Sequence, residues 1–298
     1  MQLTNNKTGA VAQSLKIQDN VRGPLVLILA AMCIGLAPIG LRFSQMEPSV
    51  TGMWRFTFAL PILFAFGIIF KQTIGRPSPA IIASGAFFGL DICLWHTALT
   101  HTSVANATFF VNLGSVGVGL LAWVFLQQKP SKIWPIAAIL ALSGAAAMAI
   151  GAPTDQQSGL LGDGLALLAS FCVAGYLLCA TIARNKASGF QAAFWLTASA
   201  IPVTFIFALF TGEQLIPSDI SYFGAPLFLA VMAQCIGQGL LIYGVGLTKP
   251  AISGVILLIQ PVVAGVLAWP LFDEALAPIQ IAGAGIILCG VWLAGRSR

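Results

Sequence analysis

Apolar residues run in ten long stretches, separated by short polar breaks, across nearly the whole chain. The stretches fall at about 24–43, 49–70, 79–99, 103–126, 132–151, 160–182, 189–211, 222–247, 250–272 and 277–295. A helix of about twenty apolar residues crosses the ~30 Å hydrocarbon layer, so each stretch predicts a transmembrane span. The predicted fold class is an all-α polytopic membrane protein with ten transmembrane helices. Composition agrees: hydrophobic residues are 58% of the 298, charged residues 8%, and mean hydropathy is +0.93. Residues 1–22 are polar, lack a cleavable signal pattern and predict a cytoplasmic tail.

Charge then orients the predicted spans. With both termini inside, the inner segments hold Lys7, Lys16, Arg22, Lys71, Arg76, Lys129, Lys132, Arg184, Lys186, Lys249, Arg296 and Arg298, twelve of the fourteen basic residues. Arg42 alone falls outside, and Arg55 within a helix. Basic residues in short loops resist translocation, so the imbalance predicts cytoplasmic termini. Acids run the other way: Glu47, Asp155, Asp163, Glu213, Asp219, Asp273 and Glu274 fall outside. The net charge of +5 is thus a rim facing anionic headgroups, not a nucleic-acid footprint. All six cysteines lie inside predicted helices without metal-pair spacing, which makes them packing residues.

The chain also reads as written twice. Gly119-Leu120-Leu121-Ala122-Trp123 aligns with Gly265-Val266-Leu267-Ala268-Trp269, and in the same register Thr102 meets Thr248 and Gly144 meets Gly290. Two five-helix repeats follow, 23–152 and 153–298. Five is odd, so the second repeat starts on the opposite side and the two are inverted about an axis in the membrane plane. Inverted repeats are common in secondary transporters, where they allow a midplane site to open to either side.

Pro48 to Arg55 ahead of an apolar helix, and the stretch Ala251 to Gly290 with Gln260-Pro261, Asp273-Glu274 and Gly283, resemble segments of the drug/metabolite transporter superfamily, in its EamA-type members. The resemblance covers about 24–295 and is greatest to bacterial exporters of aromatic amino acids. It implies a monomeric exporter of the bacterial cytoplasmic (inner) membrane, needing no cofactor, whose first, third, fourth, sixth, eighth and ninth spans surround the cavity. Two positions depart from the pattern: Ser115 stands where Pro261 has its counterpart, and Gln128 where a Glu is usual.

Buried ionisable groups are costly in lipid and hence candidates for function. Counted from helix ends, Arg55 and Asp91 reach similar depths, which predicts an ion pair, direct or through water. Trp95 shares the Asp91 face one turn on, and His96 adds a group that titrates near neutrality. On the fourth span Thr108, Asn112, Ser115 and Gly119 form one narrow stripe, with Asn112 needing polar company at that depth. Gln234 and Gln238 share a face of the eighth span with Tyr243 beyond, and Gln260 precedes Pro261 on the ninth. With Phe109 and Tyr176 as aromatic walls, these define a candidate binding set of Trp95, His96, Phe109, Asn112, Tyr176, Gln234, Gln238, Tyr243 and Gln260. Trp123, Trp134, Trp269 and Trp292 lie near span ends and read as interfacial anchors. Pro38 with Gly40, and Pro261 with Gly265, are candidate gate hinges.

No nucleotide-binding loop or room for an ATPase domain exists, so transport energy comes from a solute or ion gradient. The leading function is amino acid export by alternating access, aromatic substrates first. Other neutral amino acids such as threonine or methionine come next, then drugs and other metabolites. An intramembrane enzyme would want clustered acids for a metal or a nucleophile beside a base, and a channel a repeated filter ring; neither pattern occurs. Nothing implies a metal or an enzymatic role.

Overall fold

The computed structural model describes residues 21–151 and 159–296. The described residues form helices α1 (Val21–Arg42), α2 (Pro48–Ile69), α3 (Pro79–Leu99), α4 (Val104–Leu126), α5 (Trp134–Ile150), α6 (Leu160–Arg184), α7 (Gly189–Thr211), α8 (Ile220–Val245), α9 (Pro250–Phe272) and α10 (Pro278–Arg296), and no strand. Nine are long and apolar enough to cross a membrane. The exception is α5, with 17 residues against the 132–151 expected. At ~1.5 Å per residue it reaches only about 25 Å. The expected tail lies outside the described residues, apart from Val21 and Arg22, which open α1.

Local chemistry sets the helix boundaries. Proline at or next to the first position starts α2, α3, α9 and α10, where a missing N–H costs nothing. The hydroxyls of Ser78, Ser103 and Ser188 accept from Ile81, Asn106 and Gln191 N–H and cap α3, α4 and α7. Three helices are irregular. A turn at Gly35–Leu36 interrupts α1 just before Pro38, and a turn at Leu258 interrupts α9 just before Pro261. Proline has no N–H to return to the carbonyl four residues back, so both helices break there. In α8, residues Ala230–Gln238 wind as a π-helix, in which Gly239 N–H reaches the Gln234 carbonyl five residues back.

Packing follows small residues, as it must where lipid is as apolar as the protein. α3 lies against α6 and α7, α4 against α6 and the first half of α9, α2 against α7 and α8, and α5 against α10. A Cβ on Gly114 would collide with the Ser170 carbonyl, and one on Gly254 with the Ser115 carbonyl. So α4 touches α6 and α9 backbone to backbone. The large apolar side chains face outward instead, among them Phe171, Phe210, Ile139 and Leu288.

Helix ends gather at two faces. At one, Glu47 accepts from Gln214 N–H, Glu213 from Val50 N–H, and Asp163 from Thr102 Oγ1. This face also carries Asp219, whose carboxyl accepts from Ser221 N–H and is held below the usual carboxylate range by that bond. At the other face, Arg184 donates to the Ile242 and Ala187 carbonyls, Gln191 donates to the Arg76 carbonyl, and Trp195 donates to the Ile74 and Gly75 carbonyls. The first face is acidic and the second basic. Trp134 corrects an expectation: it is 5% exposed and donates from Nε1 to the Ala251 carbonyl, joining α5 to α9 instead of anchoring at an interface. Trp123, Trp269 and Trp292 are exposed near helix ends.

The backbone contact at Gly254 yields the first prediction. Gly254→Ala is expected to lower stability by about 1–3 kcal/mol or more, because neither backbone can yield. Gly285→Ala, where an added Cβ meets nothing, is expected to be neutral or slightly stabilising. Apparent melting temperatures in detergent separate the two, and equal shifts would remove the contact from the account.

Candidate functional site

Two adjoining chambers lie between the helices. The upper one has a volume of about 350 Å³ and reaches the acidic face, where Arg42, Thr102, Ser103 and Glu274 line its mouth. Its walls are mostly apolar, with Pro38, Phe109, Met148, Ala264, Ala268 and Leu276 among them. The lower chamber, about 100 Å³, is lined by Arg55, Asp91, Trp95, Tyr176, Gln238 and Gln260 among others. Pro38, Thr108, Asn112, Pro261 and Ala264 border both. Towards the basic face Gly254 packs on the Ser115 carbonyl, and Gly119 packs on Trp134 and Ala251, so the helices are in close contact there.

The two broken helices meet beside the lower chamber. Gly35, at the α1 turn, sits against the Gln260 carbonyl and the Val263 side chain of α9, where its missing Cβ leaves no room to spare. Pro38 and Pro261 therefore flank the same space, and Gly265 lines the upper chamber. Gly40 does not line either chamber. It packs on Leu229 and Phe228 of α8.

At the mouth, Arg42 Nη2 and Glu274 Oε1 are 2.7 Å apart, the one ion pair among the described residues. The Arg42 guanidinium also lies 4.3 Å from the Phe272 ring centre. The basic residue that departed from the charge asymmetry thus has an acidic partner on its own face, and together they tie the acidic-face end of α1 to that of α9.

Arg55 and Asp91 do not form the expected direct pair. Arg55, 2% exposed, donates from Nη2 to Gln234 Oε1 at 3.0 Å. Gln234 Nε2 donates to Thr197 Oγ1 at 2.9 Å, and Thr197 passes its own proton to the Ala193 carbonyl at 2.9 Å. Every bond in this chain has a fixed direction, because the guanidinium only donates and the final carbonyl only accepts. The Phe56 and Phe88 rings lie 5.6 and 5.7 Å from the guanidinium carbon, within cation–π range. The cation is thus held by a neutral amide and two ring faces. Asp91, 6% exposed, borders the lower chamber, and its Oδ1 has no protein partner.

The other expected site residues divide. Trp95, Tyr176, Gln238 and Gln260 border the lower chamber, Phe109 the upper, and Asn112 both. Three of the expected set are elsewhere. His96 points to α2, its Nδ1 2.7 Å from the Pro48 carbonyl. Gln234 is committed to Arg55 and Thr197. Tyr243 lies at the basic face between Arg22 and Arg184, 5.5 and 5.9 Å from their guanidinium carbons. Thr197, Met148 and the Arg42–Glu274 pair escaped the sequence reading. Only a mid-span hydroxyl on α7 hinted at Thr197.

The Arg55–Gln234 link generates a second prediction. Gln234→Leu removes the acceptor of a buried cation, and a cost of about 1–3 kcal/mol is expected, more than for an average surface change. Pairing it with Arg55→Leu should cost less than the two single losses combined, since no orphaned charge remains. Unfolding in detergent of the single and double variants checks this; strictly additive losses would break the link.

Comparison with known proteins places this geometry in a family. The model of the EamA-like transporter family matches residues 21–150 and 160–296. The chain is 23% identical over 283 residues to an uncharacterized transporter of Archaeoglobus fulgidus, covering 92% of this chain and 99% of that one. It is 28% identical over 204 residues to the uncharacterized transporter YwfM of Bacillus subtilis, covering 66% and 67%. A solved crystal structure superposes with a TM-score of 0.75 at 15% identity, over 93% of this chain and 96% of that one, which shows a shared fold. A transmembrane protein with this cavity and a family match along both halves belongs to the EamA-like transporter family.

Proposed function

We propose that the protein exports amino acids, aromatic ones foremost, across the bacterial cytoplasmic membrane by alternating access. The single observation that carries this reading is a cavity that reaches the acidic face, with close helix contacts at Gly254 and Gly119 towards the basic face. In this reading the acidic face is external, both termini are cytoplasmic, α5 completes ten crossings, and the described conformation opens outward. The substrate enters from the cytoplasm when those contacts part and the mouth closes. A monomer suffices, because the cavity lies within one chain.

Two inverted repeats, 23–152 and 153–298, would explain why the helix contacts pair off. Exchanging the halves turns α3 against α6 into α8 against α1, and leaves α2–α7, α4–α9 and α5–α10 unchanged. Gln127 and Asp273, aligned by the same register, both end their helices in the left-handed conformation, at φ 55° and 57°. The family match also falls into two segments. In that register Ser115 corresponds to Pro261 and Thr108 to Gly254. The contact Ser115–Gly254 thus has Pro261–Thr108 as its counterpart, and those two residues stand across the open cavity. Closing them while parting Ser115 from Gly254 would be the transport stroke.

Aromatic preference is supported by the upper chamber, where Phe109, Pro38 and Met148 offer apolar walls, and by Trp95 and Tyr176 below. Asn112, at the border of both chambers, is placed to bond a polar group passing between them. Other neutral amino acids are the second reading, because an apolar wall of this kind also accepts methionine.

Proteoliposomes loaded with unlabelled phenylalanine are expected to accumulate labelled phenylalanine transiently without ATP. Counterflow with threonine or methionine in its place would move the assignment to those substrates, and none with any amino acid would end it. Orientation has its own test. Gln72→Cys, between α2 and α3, should react with an impermeant maleimide only in opened cells, and Gln214→Cys, between α7 and α8, in intact ones. Reaction of both from the same side would refute the inverted arrangement.

A further inference from the structure

Eight buried side-chain polar atoms among the described residues lack a hydrogen-bond partner in the protein. Three are hydroxyls away from both chambers, on Ser49, Ser131 and Thr248. The other five, Arg55 Nε, Asp91 Oδ1, Trp95 Nε1, Thr108 Oγ1 and Gln238 Nε2, all belong to residues that border the lower chamber. Buried polar atoms are nearly always satisfied, and a cluster left open at one cavity asks for a ligand with the complementary atoms. Arg55, Asp91, Trp95 and Gln238 are each more than nine-tenths buried, so bulk water does not explain the pattern.

The chemistry of the five is specific. Arg55, Trp95 and Gln238 present N–H donors, one of them on a cation, whereas Asp91 presents a carboxyl group and Thr108 a hydroxyl able to donate or accept. The Arg55 guanidinium and the Asp91 carboxyl share a chamber yet form no ion pair with each other. Arg55 is held back by Gln234 and by the Phe56 and Phe88 rings. What remains is a space with a carboxylate-seeking side and an ammonium-seeking side, small enough to fit a head group but not a whole aromatic molecule.

We propose that the lower chamber is a zwitterion clamp: Asp91 takes the substrate ammonium, and Arg55, Trp95 and Gln238 take its carboxylate, while the apolar remainder lies in the upper chamber. This rests on reading the cavity as the substrate site and specifies which chemical class the site admits. The ligand's two charges complete what the protein leaves open, so a molecule with only one of them strands the other residue in a desolvated place. Selectivity for zwitterions over amines and acids follows from that penalty, with side-chain preference left to the upper walls.

The test uses purified full-length protein and competition against labelled phenylalanine by phenethylamine, which lacks the carboxylate, and phenylpropionate, which lacks the ammonium. For the wild type each fragment is expected to bind roughly ten- to a hundredfold more weakly than phenylalanine. Asp91→Asn should weaken phenylalanine by a similar factor yet leave phenylpropionate unchanged. Arg55→Gln should do the converse, sparing phenethylamine. Trp95→Phe, which keeps an aromatic ring and Arg55 in place, should weaken phenylalanine and phenylpropionate alike but not phenethylamine, and serves if Arg55→Gln fails to fold. Equal losses for all three compounds in these variants would make the residues structural and overturn the clamp while leaving amino acid binding intact. If no amino acid binds, glycine betaine is the second probe. Its binding, lost in both Asp91→Asn and Trp95→Phe, would keep the clamp and discard the amino acid assignment; no binding of either zwitterion overturns the clamp.

Discussion

The arrangement depends on backbone touching backbone where α4 crosses α6 and α9. Side chains gain nothing by leaving lipid for one another, so helices here adhere through close contact, and contact is closest where a glycine faces a carbonyl. Gly114 against Ser170 and Gly254 against Ser115 fix the helices at about mid-height on α4. Towards the basic face the same helices stay together, with Gly119 against Ala251. Towards the acidic face they part, and the larger chamber fills the gap. A cavity in a membrane protein needs such a pivot, because nothing else holds the walls apart against packing.

Around that pivot the polar groups are distributed with economy. A cation in a medium of low dielectric would take the nearest carboxylate unless something competes. Gln234 competes, and it can do so because the π-helical turn of α8 brings its amide to α2 on one side and Thr197 of α7 on the other. One amide thereby joins three helices and keeps a guanidinium from collapsing onto Asp91. The neighbouring Gln238, at the end of the same π segment, borders the cavity. Widened turns recur at functional sites for this reason: they rotate side chains that a regular helix would hold in line.

The same geometry explains what could be read from sequence. The positions of nine spans, the gathering of acids and bases at opposite faces and the place of each polar residue along its helix were legible, because each is a count of residues from a helix end. Rotation about the helix axis was not. In a soluble helix the polar face marks the outside, but here every face is apolar and the lipid side looks like the packed side. Arg55 and Asp91 were therefore matched by height alone; they border one chamber, but the guanidinium turns to Gln234 and makes no direct pair. His96 and Tyr243 failed likewise, one turned towards α2 and the other sited at the basic face. Gln234 and Gln238 were aligned on a regular helix, an assumption the π segment breaks. Trp134 was taken for an anchor from its position near a span end, although α9 covers it.

The walls of the cavity are unequal. α4 runs unbroken from Val104 to Leu126, and Ser115 stands where a proline would have interrupted it. Opposite it, α9 breaks at Leu258 and α1 at Gly35–Leu36, each just ahead of its proline. The jointed helices are fastened to each other twice, by Gly35 against the Gln260 carbonyl and by the Arg42–Glu274 ion pair at the mouth. A rotation at the two breaks would therefore carry the acidic-face halves of α1 and α9 as one body, against an unbroken α4. Ser115 in place of a proline then has a physical consequence: one side of the cavity keeps its shape while the other side bends.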